Sequence, residues 1–310
     1  MNLTSPRQVQ QLMAKHKVTA KKSLGQNFLT DANILRKIVT AAELCPDDQV
    51  LEIGPGVGAL TVALAEAAGA VVAVETDRSL APLLAEVLAE FDNVRLVFGD
   101  ILKLNPATLF PPEGTVPKVV ANLPYYITTP IIFHLLESTV QWQLLVFLVQ
   151  KEVADRMVSP PGNKEYGALS VMIQSFCHVE LVGVVPPTVF LPRPKVDSAI
   201  VRLVPKPKAI SPEIDRCFSL LVRTVFSTRR KNLYNSLRGI FSQLGGEKKV
   251  MTALEELGLD PRRRGETLSP AEFYALAAYC GNALNGPTRN QALYRKGDED
   301  EFYQPDQRTT

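Results

Sequence analysis

Four consecutive residues, Asn122-Leu123-Pro124-Tyr125, carry the most distinctive chemistry in this chain. They follow Val119-Val120-Ala121, an apolar run that reads as a buried strand. An amide, a proline and an aromatic ring at a strand end make a poor packing element. They make a good grip on a flat ring bearing an exocyclic amine. The Asn side-chain oxygen and nearby backbone carbonyls accept from an amino group, and the Tyr ring stacks on the base. The plainer meaning is a turn, because Asn and Pro favour turns everywhere. The four residues alone leave both meanings open.

The elements that must position this loop are legible upstream. Residues 50–53 read as a buried strand, 54–58 (Gly-Pro-Gly-Val-Gly) as a tight turn, and 59–68 as an Ala/Leu-rich helix ended by Gly69. Strand, glycine turn and helix form the first unit of a doubly wound fold. The glycines let backbone approach a ligand at the positive end of a helix. Residues 71–74 are the second strand, and Glu75 ends it, where a carboxylate can accept from both hydroxyls of a ribose. The third strand, 94–98, ends at Gly99-Asp100. Asp100 suits an adenine amino group or the cap of the next turn. Gly54, Gly56 and Ala59 also satisfy the looser pattern G-x-G-x-x-[GA], which leaves a nicotinamide dehydrogenase open on these residues. The sharper G-x-G-x-G preceded by Glu52, and the amide–proline–aromatic loop after strand four, argue against hydride transfer.

The flanking chain adds a second unit. Residues 1–22 are polar and basic and read as a solvated arm, with phosphate contact as the functional alternative. Asp31 caps a helix whose apolar face is Ile34, Leu35, Ile38 and Val39. Just before it, the amides Gln26 and Asn27 sit beside Phe28 and Leu29, where they serve as loop hydrogen-bonders or hold the charged end of a ligand. Residues 130–138 read as a helix with Pro130 near its start, and His134 on it is given no catalytic role. Strands are expected at 144–149, 179–185 and 199–204, and a helix at 151–158. The loop at 160–163 is a candidate lid. A proline-fixed loop at 189–198 either presents the Phe190 ring rigidly or holds it in the core. Pro205-Lys206-Pro207-Lys208 is the clearest linker.

Beyond the linker, Ile214, Cys217, Phe218, Leu221, Val222, Val225 and Phe226 fall on one helical face. Arg229, Arg230, Lys231 and Arg238 follow, interleaved with Leu233, Leu237 and Ile240. The basic side is either a solvated face or an RNA-backbone contact. Residues 250–257 form a helix stopped by Gly258, and Arg262-Arg263-Arg264 is a second basic knot. Ser269-Pro270-Ala271-Glu272 is a capping box opening a last helix to about Cys280. From Gly286 the chain is polar, with an acidic run Asp298-Glu299-Asp300-Glu301, and is read as a disordered tail. The expected division is therefore an arm (1–22), a catalytic α/β domain (23–205), a small α-helical domain (206–285) and a tail (286–310).

Bulk properties set limits. The 310 residues, 46% hydrophobic, fit one large domain plus a smaller one, and the net charge of +2 says little about partners. The cysteines, Cys45, Cys177, Cys217 and Cys280, are scattered and lack C-x-x-C or zinc spacing, so a reduced, cytosolic protein is expected. No run approaches the roughly 20 apolar residues that span a bilayer.

Taken in order, KKSLGQNFL, LEIGPGVGALT, VVAVETDR, NLPYYITTP, VFLPRPKVDSA, FSTRRK and RRGETLSPAEF resemble the small-subunit ribosomal RNA adenine dimethyltransferase family, from about Lys21 to Ala278. The erythromycin-resistance methyltransferases are its sister family. The resemblance implies a Rossmann-like class I S-adenosylmethionine-dependent methyltransferase domain with a helical RNA-binding domain. It implies S-adenosylmethionine as methyl donor, no metal, and 16S ribosomal RNA in the small subunit or its precursor as partner. Asn27 and Leu29 would border the donor's methionine part, Gly54 the glycine turn, Glu75 the ribose and Asp100 the adenine amine. Asn122 would lie between donor and acceptor. Tyr125 and Phe190 match the family's stacking aromatics, and Arg229, Arg230 and Lys231 would meet RNA. Many relatives carry His at the place of Asn27; an amide can still donate there.

The implied chemistry is dimethylation at N6 of two adjacent adenosines in a loop near the 3′ end of 16S ribosomal RNA. The Asn122 side-chain oxygen and the Leu123 carbonyl would accept the two amine protons and turn the nitrogen lone pair toward the methyl group, by positioning and electrostatics alone. A large-subunit resistance enzyme, a DNA adenine methyltransferase and a non-catalytic ribosome-assembly factor are the alternatives. A cytoplasmic monomer is the expected state.

Overall fold

The computed structural model describes residues 2–111, 115–207 and 211–281. In chain order the first elements are α1 (Pro6–Lys15), β1 (Phe28–Leu29), α2 (Ala32–Ala41), β2 (Gln49–Ile53), α3 (Ala59–Ala67), β3 (Ala70–Glu75) and α4 (Ala81–Val87). Then come β4 (Val94–Phe98), β5 (Lys118–Asn122), α5 (Thr128–Glu137), β6 (Leu144–Gln150), α6 (Lys151–Val158) and α7 (Ala168–Phe176). The sheet is completed by β7 (Cys177–Val185) and β9 (Ser198–Pro205), with the short β8 (Phe190–Leu191) between them in sequence. Four further helices follow: α8 (Pro212–Ser227), α9 (Leu233–Leu237), α10 (Glu247–Glu256) and α11 (Pro270–Gly281).

Seven strands form one sheet in the order β4-β3-β2-β5-β6-β9-β7. The first five are mutually parallel, and β9 runs antiparallel to both β6 and β7. The order reverses between β2 and β5, which opens a crevice at their carboxyl ends. Alternate residues of each strand point to opposite faces. Val50, Val120 and Val146 therefore pack with Ile38 of α2 and Leu64 of α3. Leu51, Val119 and Phe147 pack with Ile131 of α5 and Met157 of α6. Burial on both faces is why these strands read as unbroken apolar runs. The expected caps also form. Asp31 accepts from the N–H groups of Asn33 and Ile34, and Ser269 and Glu272 exchange both capping-box bonds.

Several expectations are corrected. Residues 6–15 are a helix rather than a solvated arm, because Val9 and Leu12, one turn apart, are buried. Lys15 and His16 each lie 2.7 Å from Glu86 of α4. Gly69 is not a left-handed helix stop; a Cβ there would strike the Pro46 carbonyl. Helices α4 and α7 and the β1–β8 ribbon were not anticipated. The loop at 160–163 is no free lid, because its Gly162 N–H donates to the Glu266 carbonyl at 2.8 Å. The acidic tail expected at 286–310 lies outside the described residues.

The helical core reaches back across the linker. Tyr166, fully buried, packs with Phe218, Leu221 and Phe273 of α8 and α11. Its hydroxyl donates to the Leu268 carbonyl at 2.8 Å. Arg229 clasps the same stretch, donating to the carbonyls of Lys164 and Tyr166 at 2.7 and 2.8 Å and to Glu266 at 2.9 Å. Tyr166→Phe leaves a buried carbonyl without its donor. It is expected to cost about 1–3 kcal/mol, read as a lower urea midpoint with an unchanged far-ultraviolet spectrum.

Candidate active site

The crevice is lined by backbone before side chains. Gly54, Gly56 and Gly58 have φ of +72°, +58° and +87°, a region L side chains avoid. Around Gly54 the space is open: the nearest atom to an added Cβ is the Asn122 carbonyl oxygen at 4.0 Å. The Phe28 ring seals the other side of the turn, only 2.8 Å from where a Gly56 Cβ would sit. Glycine at 56 thus serves both the turn and the close approach of β1.

Glu75 ends β3 and is 4% exposed. Its Oε2 accepts from the Gly56 N–H at 3.2 Å and its Oε1 from the Asp77 N–H at 2.8 Å. Each oxygen keeps a further lone pair for a hydroxyl donor. Burial raises the Glu75 carboxyl above its ordinary range, opposed by those backbone donors and reinforced by the Asp77 charge. Asp100 caps the turn after β4, accepting from the Leu102 N–H at 3.1 Å, with Lys103 3.6 Å from its other oxygen. The bare glycine backbone and the strand-end carboxylates fit the nucleoside part of S-adenosylmethionine.

Across the switch point, Asn122 ends β5 half-buried. Its Nδ2 donates to the Asn27 carbonyl at 2.9 Å, which turns Oδ1 the opposite way as a free-standing acceptor direction. Asn27 in turn donates to the Gly25 carbonyl at 3.0 Å. Leu123 is buried, its N–H given to the Leu148 carbonyl at 3.0 Å. Leu29 is buried in β1. The Tyr125 hydroxyl meets Ser198 Oγ at 2.6 Å, so the half-buried ring is pinned to the start of β9. Tyr126 is 56% exposed, and its ring edge lies against Gly25. Burial pushes its phenol upward, and the carboxylates of Asp100 and Glu75 add to this. His134 is half-buried, with its Nε2 3.0 Å from the Leu104 carbonyl oxygen.

Two expected side chains are placed differently. Phe190 is 3% exposed and belongs to the core with Phe28 and Leu29. Its pairing with Leu29 in the β1–β8 ribbon holds it there, so in this conformation the ring is not offered for stacking. Arg229 is engaged in the clasp on residues 164–166, so its guanidinium has a structural task. Arg230 and Lys231 remain exposed, and the bridge between Asn232 and Arg264 sets exposed Arg264 beside them. Arg262 and Arg263 face Asp260 and Glu272.

Asp77 and Ser198 carry no expected role, and Lys21 was expected only as part of a basic arm, yet each contacts a residue of the site or its neighbour. Asp77 and Lys21 lie within quoted motifs, but nothing local indicates that they meet. Cavities of about 310 and 430 Å³ lie elsewhere. One is at the opposite end of β2–β4, beside Gln49 and Asn93; the other lies between β7 and the start of α11. Neither touches the strand-end residues that carry the chemistry. Among the described residues no group of three or more His, Cys, Asp or Glu could hold a metal ion, and no helix is long and apolar enough to cross a membrane.

Residues 17–280 match the family model described as ribosomal RNA adenine dimethylase. The chain belongs to that family. Dimethylases of this family use S-adenosylmethionine, and this chain is accordingly an S-adenosylmethionine-dependent methyltransferase. A protein of Bacillus cytotoxicus named ribosomal RNA small subunit methyltransferase A is 46% identical over 89% of this chain and 96% of its own length. A homologue of the same name from Bacillus mycoides shares the same identity and coverage. The solved dimethyladenosine transferase of Plasmodium falciparum superposes with a TM-score of 0.72 at 30% identity, covering 82% of this chain and 98% of that one. The 23S rRNA methyltransferase ErmE gives 0.64 at 31%, covering 82% and 99%.

One buried group in this dimethylase stands apart from binding. Glu52 of β2 is 1% exposed, and neither its Oε2 nor the hydroxyl of Thr61 has a hydrogen-bond partner among the described residues. Burial pushes its carboxyl up to about 8, opposed by the neighbouring Thr61 hydroxyl and reinforced by Glu75. Below the ordinary carboxyl range, folded and unfolded chains are both protonated. As pH rises toward about 8 only the unfolded chain releases the proton, so the stability from neutral Glu52 is lost through that window. Glu52→Gln is expected to raise the thermal midpoint by about 3 °C or more at pH 8, with a smaller gain at pH 5, as read by calorimetry.

Proposed function

We propose that this methyltransferase dimethylates N6 of two adjacent adenosines in a loop near the 3′ end of 16S ribosomal RNA, within the small subunit or its precursor. The observation that carries the reading is the Asn122 amide, held by Asn27 with its oxygen directed away from that bond. The small-subunit assignment is supported by 46% identity, over 96% of their length, to proteins named for that subunit, and by a TM-score of 0.72 to the dimethyladenosine transferase against 0.64 to the 23S enzyme. We take the protein to be a cytoplasmic monomer that uses no metal and engages no membrane.

S-adenosylmethionine supplies an electrophilic methyl group on a sulfonium centre. The chain's residues do the rest by position. Glu75 accepts from the ribose hydroxyls, Asp100 from the adenine amine, and Gly54 leaves room for the nucleoside against bare backbone. Asn27 and Leu29 border the methionine part. The amine of the target adenine is conjugated with its ring, so its lone pair is a poor nucleophile. Asn122 Oδ1 and the Leu123 carbonyl accept its two protons, and the nitrogen becomes more tetrahedral as it attacks. The product ammonium on an aromatic ring loses its proton to water, so no strong base is required. Tyr125 supplies the stacking surface for the unstacked base. Phe190, in the core beside Phe28 and Leu29, holds β1 in place through its pairing with Leu29. Arg230 and Lys231, with Arg264, meet RNA phosphates, while Arg229 holds the helical unit in place. A role in subunit assembly coexists with catalysis.

Asn122→Ala is expected to lower methyl transfer at least about a thousandfold while RNA and donor dissociation constants move less than about threefold. Equal loss of RNA binding would contradict this division of labour. Replacing Arg230 and Lys231 together by Ala should weaken RNA binding and flatten the slope of log K against log salt by about 2. An unchanged slope would mean that this face meets only water.

A further inference from the structure

Residues 21–29 run between the two halves of the site and are fastened to both. On the donor side the anchor is Asp77. Lys21 Nζ lies 2.5 Å from its Oδ1, and Gln26 Nε2 donates to its Oδ2 at 3.0 Å. Gln26 also accepts from the Lys21 N–H at 2.8 Å, which closes the loop on itself. The Asp77 N–H donates to Glu75 Oε1 at 2.8 Å, so the anchor is continuous with the carboxylate that ends β3. On the acceptor side, the Asn27 carbonyl receives the Asn122 Nδ2 bond at 2.9 Å. Gln26 and Asn27 are adjacent, so a single peptide unit separates the two fastenings.

The anchor is a strong one. Asp77 is 3% exposed. Burial opposes its ionisation, but Lys21, Ser79 and Gln26 outweigh that and hold the carboxyl at about 2. Charge-assisted bonds to a buried carboxylate are stronger than neutral ones. The held group matters because an amide has two nearly isosteric orientations. In one, Asn122 offers its oxygen to an incoming amine. In the other it offers N–H groups and places its oxygen against the Asn27 carbonyl, acceptor against acceptor.

We infer that Asp77, acting through Gln26 and Lys21, is a positioning residue: it fixes the Asn27 carbonyl that orients the Asn122 amide, and so ties the acceptor side of the site to the donor-side end of β3. Its catalytic consequence rests on the reading of Asn122 as the acceptor of the amine protons. Its structural content does not.

The double variant Gln26→Ala, Lys21→Ala removes both side-chain bonds of the donor-side anchor and leaves the Asp77 carboxylate accepting from the Ser79 N–H and hydroxyl. The first readout needs neither donor nor RNA. The side-chain amide signals of Asn122 are assigned by nitrogen-15 NMR from their loss in Asn122→Asp. In the double variant they should shift and exchange with water at least about tenfold faster, while backbone signals of the sheet stay in place. The single-turnover rate at saturating donor and RNA should fall about tenfold, with the donor Kd changing less than about threefold. Asn122 signals with unchanged shift and exchange overturn the proposal whatever the rate does. A rate that does not fall although those signals move overturns the catalytic half. Altered amide signals in a protein that methylates no adenosine at all, in wild type or variant, count against the proposed reaction and leave the latch standing.

Discussion

One hydrogen bond sits where the two halves of this site meet: Asn122 Nδ2 to the Asn27 carbonyl. Everything around it serves to fix its ends. Asn122 is held because β5 pairs with β6 through Asn122 opposite Leu148, deep in a sheet buried on both faces. Asn27 is held because β1 pairs with β8 and because Gln26, its neighbour, is tied to Asp77. A neutral hydrogen bond of this kind is worth only about 1 kcal/mol by itself. Its importance lies in direction, since it decides which end of an amide faces the acceptor amine.

The same economy runs through the rest of the site. No side chain described here is a strong nucleophile or an evident general base. The carboxylates are placed to accept, the glycines to leave space, and the aromatic loop to offer a surface. Such a site accelerates a reaction by holding partners in line against fixed acceptors rather than by covalent chemistry. It therefore demands rigidity over a span of sequence that includes residues 21–29, the ends of β2 to β5 and the start of β9. The helical unit is joined to this body by shared packing around Tyr166 and by the Arg229 clasp, which gives RNA held by one unit a fixed relation to the pocket of the other.

Much of this was legible in the sequence. Residues 50–53, 71–74 and 144–149 announce a buried parallel sheet because both faces are covered, and Gly54, Gly56 and Gly58 announce the turn because each has positive φ. Glu75, Asp100 and Asn122 could be named because strand ends are where such a fold binds ligands. What stayed hidden depends on distance along the chain. Lys21 meets Asp77 across 56 residues, and no local pattern reports that. Arg229 resembled its neighbours in composition, yet it alone of the three turns inward to carbonyls at 164 and 166. Phe190 had two readings on sequence, and the register with Leu29 decides for the core. Helix α1 was missed because two buried apolar residues, Val9 and Leu12, are too few to stand out in a polar stretch.

Methylation of adenine in small-subunit RNA by this site is read out by offering methyl-labelled S-adenosylmethionine with two acceptors, unmethylated small ribosomal subunits and naked large-subunit RNA, and mapping the labelled nucleotides. Two adjacent dimethylated adenosines near the 3′ end of the small-subunit RNA, with the large-subunit RNA unlabelled, are expected. Label confined to the large-subunit RNA would overturn the small-subunit assignment and move the protein to the resistance-type activity.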